Sequence, residues 1–508
     1  MTKLFFVDTW GAAGVMPIIF ILIIVLIRKV YILDRQKRYQ TRNGCMPVHR
    51  APCQDPILGI DLYLRVAKLS REHEWLNSMV EDHRLHQNTF RASVLGQGFI
   101  ITIEPENIKA VLSTKFQDFS LGNREETLGP LLGKGIFNSD GETWTHSRAM
   151  IRPNFARDQI ADLDAFETHM QTFLRCIPRD QSTVDLQELF FRYTIDSATE
   201  FLFGKSVDAL REKLVGSGQM GITFAQAFNT AQDACQERMK MGSFHRLYYN
   251  RKADEAIKFC HQYVDNIVSK AINNQTSGLS EKTGGKYVFL EQLIQATKDP
   301  RRLRDESLNV LLAGRDTTAG VLSNLWFELA KQPAIFHRLR QEITRELDGK
   351  IPSYEQLRNL KYLKYCLNEA LRLYPSVPVN VRLALRDTHL PKGGGPDGKS
   401  PAFVPKGHIV SYSVYAMHRR QDIYGPDAST FRPERWESLR TSWDYLPFNG
   451  GPRICLGQQY ALTEASFVTV RLLQEFKDIE SRDPGPWKES LSLTLSSLNG
   501  TRVALTPA

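Results

Sequence analysis

The ten residues Phe448-Asn-Gly-Gly-Pro-Arg-Ile-Cys-Leu-Gly457 constrain this chain more than any other stretch. Glycines at 450, 451 and 457 let the backbone approach a flat partner with no Cβ in the way. Directly behind them, Gln458 to Phe476 carries Ala461, Leu462, Ala465, Val468, Leu472 and Leu473 at helical spacing. Cys455 therefore stands where a helix starts, and the positive end of the helix dipole favours thiolate over thiol. Taken alone, the arrangement equally fits a buried free cysteine beside a tight glycine turn.

A chain of 508 residues, 42% of them hydrophobic, buries a large core without disulfide or metal staples. No Ser/Gly-rich linker, low-complexity tract or internal repeat divides it behind the N-terminus, so one large domain is expected. Its seven cysteines are odd in number, scattered and free of CxxC pairs. That spacing argues against a zinc site or disulfide framework and places the bulk of the chain in a reducing compartment.

From Thr9 to Ile27 there is no charged residue, and nineteen such residues suffice for a hydrocarbon core of about 30 Å. Arg28, Lys29, Arg35, Lys37, Arg38 and Arg42 follow at once, against the single acid Asp34. No small-x-small cleavage site follows Ile27, so a membrane anchor is expected rather than a cleaved signal peptide. The basic flank puts the remainder on the cytosolic side and accounts for much of the net charge of +9 without nucleic acid. The sequons at Asn274 and Asn499 would then go unused. The expected organisation is a short luminal N-terminus (1–8), an anchor helix (9–29), a basic, proline-containing linker (30–55) and a catalytic domain (56–508).

Three further patterns pair polar residues on helices. Glu369 and Arg372 share a face at i and i+3 in a helix that must end before Pro375; alone, such a spacing reads as a surface ion pair worth about 0–1 kcal/mol. Arg315-Asp-Thr-Thr318 interrupts an otherwise buried helical pattern running from about Leu308 to a stop at Pro333. A polar group there is costly unless satisfied, though a threonine can bond its own i−4 carbonyl and merely bend the helix. Gly314 with Thr317 also invites a local widening. Trp144 and Arg148 stand one turn apart. The glycine-rich stretch Lys392–Lys399 lacks phosphate-loop spacing and reads as a connection in a small β-region.

The pattern Phe448-x-x-Gly451-x-Arg453-x-Cys455-x-Gly457 resembles the haem-binding signature of the cytochrome P-450 family, and the other motifs follow in that family's order. The resemblance covers about Pro56 to the C-terminus. It implies a mainly α fold with a small β-rich region, here preceded by one transmembrane helix. Haem b would be ligated by the Cys455 thiolate, which pushes electron density that assists O–O cleavage. Phe448 belongs to the same cofactor-binding loop. Trp144, Arg148, Arg382 and Arg453 match propionate contacts, which suit guanidinium geometry. Asp316 and Thr317 match the acid–alcohol pair that delivers protons during oxygen activation. Glu369, Arg372 and Arg435, the last within Phe431-Arg-Pro-Glu-Arg435, match a buried structural network.

The resemblance further implies a haem-dependent monooxygenase, single-pass in the endoplasmic reticulum membrane. Its electrons would come from NADPH through a separate membrane-bound reductase, because no Gly-x-Gly-x-x-Gly segment is present. Asp55–Asp61, Ala313–Thr318, Pro375–Asn380 and Gly393–Gly398 are similar to the fungal alkane and fatty-acid hydroxylases, implying hydroxylation at or near the end of a long alkyl chain. Tailoring of a fungal polyketide or terpenoid is the alternative. A haem-thiolate isomerase or dehydratase is another, although it has little need for Asp316 and Thr317. The expected walls of an apolar substrate site are Phe116–Phe137, Leu311–Leu322 and Ser376–Val381.

Overall fold

The computed structural model describes residues 9–55, 57–156, 163–215, 223–276 and 287–508; the side chains of residues 9–16, of Ile18, of Ser243 and of Thr276 are not among those described. The expected luminal segment 1–8 lies outside the described residues.

The first helix, α1 (Thr9–Arg42), takes in both the uncharged run and the basic stretch behind it. The first part of the expected linker is thus helical, since Arg, Lys and Gln are good helix formers. Three side chains then tie it to the body: Arg35 and Gln36 donate to Asp387 at 2.7 and 3.2 Å, and the Tyr39 hydroxyl meets His389 Nδ1 at 3.0 Å. Among the described residues, no helix is long and apolar enough to cross a membrane; the side chains of residues 9–16 and of Ile18 in the uncharged run of α1 lie outside them.

The β-rich region is small. Strands β1 (Thr89–Val94), β2 (Gln97–Thr102), β3 (Phe119–Ser120) and β4 (Val379–Ala384) lie in one five-stranded sheet. Strands β5 (Thr388–Gly394) and β6 (Ser400–Val404) form a hairpin across the glycine-rich connection. Strand β7 (Ile409–Ser413) completes the five-stranded sheet in the order β1-β2-β7-β4-β3, parallel to β2 and antiparallel to β4.

A three-stranded sheet (Val184–Asp185, Phe476–Ser481 and Arg502–Pro507) and a two-stranded one (Glu489–Leu491 and Leu495–Ser497) stand apart from these, and most of the remainder is helical. The elements that build the site are α2 (Gly141–Ile151), α3 (Leu186–Phe203), α4 (Phe224–Lys240), α5 (Pro300–Lys331), α6 (Lys361–Leu373) and α7 (Gln458–Glu475). The longest of these site helices, α5, starts at an Asp299 cap whose carboxylate accepts from the Arg301 N–H at 3.0 Å, with Pro300 in the first turn. It stops two residues short of Pro333, as Gln332 is barred from helical geometry by the ring that follows. α6 likewise ends ahead of Pro375.

Two apolar cores lie along α5. Its first half, through Leu303, Leu308 and Leu311, joins a cluster with α3 and α4; its second half, from Ala319 to Ala330, joins a larger one with α6 and α7. A fully buried phenylalanine, such as Phe228 in one core or Phe467 in the other, contributes of order 1.5–3 kcal/mol by leaving water. Arg315 to Thr318 fall between the two halves. The polar interruption visible in the sequence is therefore the seam between cores.

Candidate active site

The Cys455 loop closes on itself before α7 begins: the Cys455 N–H donates to the Phe448 carbonyl at 3.0 Å. The Phe448 ring packs on the larger core. Gly451 has a positive φ of 67°, and a Cβ there would lie 1.9 Å from the Leu112 carbonyl oxygen. A Cβ on Gly450 would lie 2.7 Å from the Trp443 ring. These two glycines are thus required by the protein's own backbone and by Trp443. Leu112 belongs to a π-helical turn, Ala110–Thr114, on which the loop rests. The widening expected at Gly314 is not present, since α5 stays α-helical there and a Cβ on Gly314 would make only ordinary contact with Ala198 at 3.7 Å.

Cys455 opens onto a cavity of about 730 Å³ whose lining includes Trp144, Arg148, Phe155, Ile454 and Leu456. Crowding by protein raises its pKa, which the Gly457 N–H and the Arg148 charge pull back only in part. The thiolate therefore needs a bound metal to be the resting form.

Cationic groups gather around this loop. Arg148 donates to the Ile454 carbonyl at 3.0 Å. Arg453 stacks 4.3 Å over the Trp144 ring and donates to Asp140 at 2.7 Å. Arg382, on β4, donates to Asn380 Oδ1 at 2.9 Å, and Arg124 reaches the same oxygen at 2.8 Å. Burial, with mutual repulsion, lowers Arg124 and Arg453 to about 10 each. Asp140 is the carboxylate acting on both. An excess of buried and half-buried guanidinium beside one acid suits a dianionic ligand, and the two propionates of haem fit that demand. Arg124 carries no motif and was missed at the sequence level.

In a separate cluster, Glu369 accepts from Arg372 at 2.8 and 2.9 Å, from Arg435 at 2.8 Å and from Trp436 Nε1 at 3.0 Å. All four residues are buried. Removing one partner from such a cluster leaves an uncompensated buried charge, a loss of roughly 3–5 kcal/mol. His418, another residue without a motif, couples this cluster to the cysteine loop. The Leu446 N–H donates to its Nε2 at 2.9 Å, so its Nδ1–H faces the Arg372 carbonyl at 3.0 Å. Burial lowers its pKa to about 3, and it stays neutral.

In α5 the two neighbours diverge. The Thr317 hydroxyl donates to the Ala313 carbonyl at 2.6 Å. Asp316 is held by Gln232 of α4 and by Arg315, which stands 3.2 Å away and donates to Gln232 Oε1 at 3.1 Å. These three side chains border a cavity of about 430 Å³ between α3, α4 and α5, lined also by Glu188, Arg192 and Asp233. Ser376 donates to the Thr317 carbonyl at 3.3 Å, which brings the segment leading into β4 against the same turn.

A mainly helical fold of this kind, with a cavity-facing cysteine at a helix start and a cluster of guanidiniums beside it, defines a haem-thiolate protein. Residues 56–500 match the cytochrome P-450 family model. The chain is 48% identical to the cytochrome P-450 monooxygenase himC of Aspergillus japonicus, over 93% of this chain and 86% of that one. It is 47% identical to the cytochrome P-450 monooxygenase fsdH of Fusarium heterosporum, over 95% and 87%. It is also 49% identical to cytochrome P-450 52A5 of Candida maltosa, over 82% of each. The chain belongs to the cytochrome P-450 family and is a monooxygenase.

Proposed function

We propose that this enzyme hydroxylates a long-chain fatty acid or alkane at or near its end. The observation that carries this reading is the likeness of Asp55–Asp61, Ala313–Thr318, Pro375–Asn380 and Gly393–Gly398 to the fungal alkane and fatty-acid hydroxylases. The placement of the third segment supports it: Ser376 ties the run to α5 at Thr317, and Val377 is left 40% exposed beside that turn. Branched apolar side chains there suit an alkyl chain presented end-on.

Cys455 would hold the haem iron through its thiolate, with Trp144, Arg148, Arg382, Arg453 and Arg124 holding the propionates. Bound there, haem supplies dioxygen activation and insertion of one oxygen atom into a C–H bond. The protein's part is proton supply. Asp316 borders the cavity between α3, α4 and α5, where Gln232 and Arg315 hold its carboxylate in place, and Thr317 carries a hydroxyl on the next residue of α5. In this proposal the acid takes protons from solvent and the alcohol passes them inward. Electrons would arrive from NADPH through a membrane-bound flavoprotein reductase. Purified enzyme coupled to such a reductase should convert long-chain fatty acids or alkanes in a panel that also holds polyketides and terpenoids. Oxidation of ring systems alone would overturn the substrate assignment in favour of secondary-metabolite tailoring. Turnover of peroxides without a reductase would favour an isomerase or dehydratase.

The anchor belongs to the same proposal. Ile19 to Ile27 are 46–63% exposed around the helix, and among the described residues no part of the body covers them. A helix apolar on all sides is stable in lipid rather than in water. The proposed topology is a single pass through the endoplasmic reticulum membrane, with the catalytic domain cytosolic. Deleting residues 1–28 should move most of the protein from membrane to soluble fractions. Full-length protein already soluble without detergent, or a luminal C-terminus by protease protection, would refute this topology.

A further inference from the structure

Glu464 of α7 is a buried acid to which the reading above gives no role. It is 1% exposed and lies where α7 meets Ser197 of α3 and Thr318 of α5. The Ser197 Oγ is 3.2 Å from the Tyr460 hydroxyl. Burial outweighs the two hydroxyls and pushes Glu464 up to about 7. Neither its Oε2 nor the Thr318 Oγ1 completes a hydrogen bond, although both atoms are buried.

The surroundings decide the charge state. Tyr193 and Tyr460 face the carboxyl, and burial pushes both well up, so both are neutral. The next acid out, Glu200, is paired to His169 at 2.6 Å, and Arg471 of α7 is paired to Glu167 at 2.9 Å. Among the described residues, no cation acts on Glu464. A carboxylate there would be a buried charge without a counter-charge. A neutral acid instead has one O–H to donate, and the unpartnered Thr318 oxygen is an acceptor beside it.

We propose that Glu464 is a protonated carboxylic acid that donates to Thr318 and so fixes the turn of α5 carrying Asp316 and Thr317. It is a positioning residue for oxygen activation: it acts through α5 and touches no reacting atom. The inference rests on α5 as the proton-delivering helix, but its two physical claims are testable without turnover. In the full-length holoenzyme, infrared spectroscopy should find a protonated-carboxyl band that fades as pH rises through about 7 and is absent from Glu464→Gln.

Thermal unfolding gives the second readout. A carboxyl whose folded pKa lies above its unfolded value of 4.5 holds its proton more tightly in the native state. Its stabilisation is complete at low pH and is lost as pH rises through the folded value. The Tm of the native enzyme relative to Glu464→Gln should therefore fall between about pH 5 and about pH 8. Product formed per NADPH should drop over the same window in the native enzyme and stay level in Glu464→Gln, whose amide donates at any pH. In Glu464→Leu it should be low throughout, with haem retained. A band unchanged by Glu464→Gln, or a flat Tm difference, overturns the protonation. Equal coupling in all three proteins overturns the positioning role. If no substrate in the panel turns over, the proposed activity fails while the band and the Tm difference still decide the protonation.

Discussion

Replacing Cys455 with serine should abolish both the thiolate-specific absorption band of the reduced carbonyl complex and monooxygenase turnover. The substitution exchanges one atom and leaves the loop intact, because the backbone bond from Cys455 N to the Phe448 carbonyl and the rest of Gly451 on Leu112 involve no sulfur. Ionisation is what changes. The Cys455 thiol, open to the cavity, is pushed up by the protein crowded around it, and a bound metal draws it to the thiolate. A serine hydroxyl ionises far less readily and is a poor iron ligand, so the electron push that assists O–O cleavage is lost. Circular dichroism and Tm should stay close to native, which separates loss of the ligand from loss of the fold. An unchanged carbonyl band in Cys455→Ser would falsify the ligand assignment.

What was legible in the sequence is local. The Cys455 loop, the start of α7, the stop of α5 ahead of Pro333 and the one-turn spacing of Trp144 and Arg148 are set by neighbours in the chain. The Glu369 cluster is different: its partner Arg435 is 66 residues away, and only the family resemblance joined them. Arg124, His418, Gln232 and Glu464 carry no pattern at all. Each matters because of what the fold brings to it: Asn380 to Arg124, Leu446 to His418, Asp316 to Gln232 and Thr318 to Glu464. Periodicity marks such positions as helical or apolar and is silent on contacts across the core. The reading of the loop glycines found the close approach but not all of its partners, since the Trp443 ring and the Leu112 carbonyl are brought there by tertiary structure.

Thr317→Ala should spare haem binding and stability yet sharply lower the product formed per NADPH, with peroxide released instead. The side chain's visible bond is the donation to Ala313 at 2.6 Å, a local bond that adds little to a helix already closed by its own backbone ladder. Alanine, the best helix former, offsets its loss. Function is where the hydroxyl has no substitute. It is the hydroxyl on α5 next in sequence to Asp316, which borders the cavity between α3, α4 and α5, the proton entry in the proposed function. Without it, proton supply to the reduced oxygen loses direction, and the electrons leave as peroxide. Assistance by a positioned proton donor typically contributes 10²–10⁴-fold, although water entering the space softens the deficit. Thr317→Ser keeps the hydroxyl and should recover most of the coupling. The decisive ratio is product to NADPH, measured with peroxide release. Native coupling in Thr317→Ala, with Thr318 intact, would reduce the Arg315–Thr318 interruption to a seam between two cores.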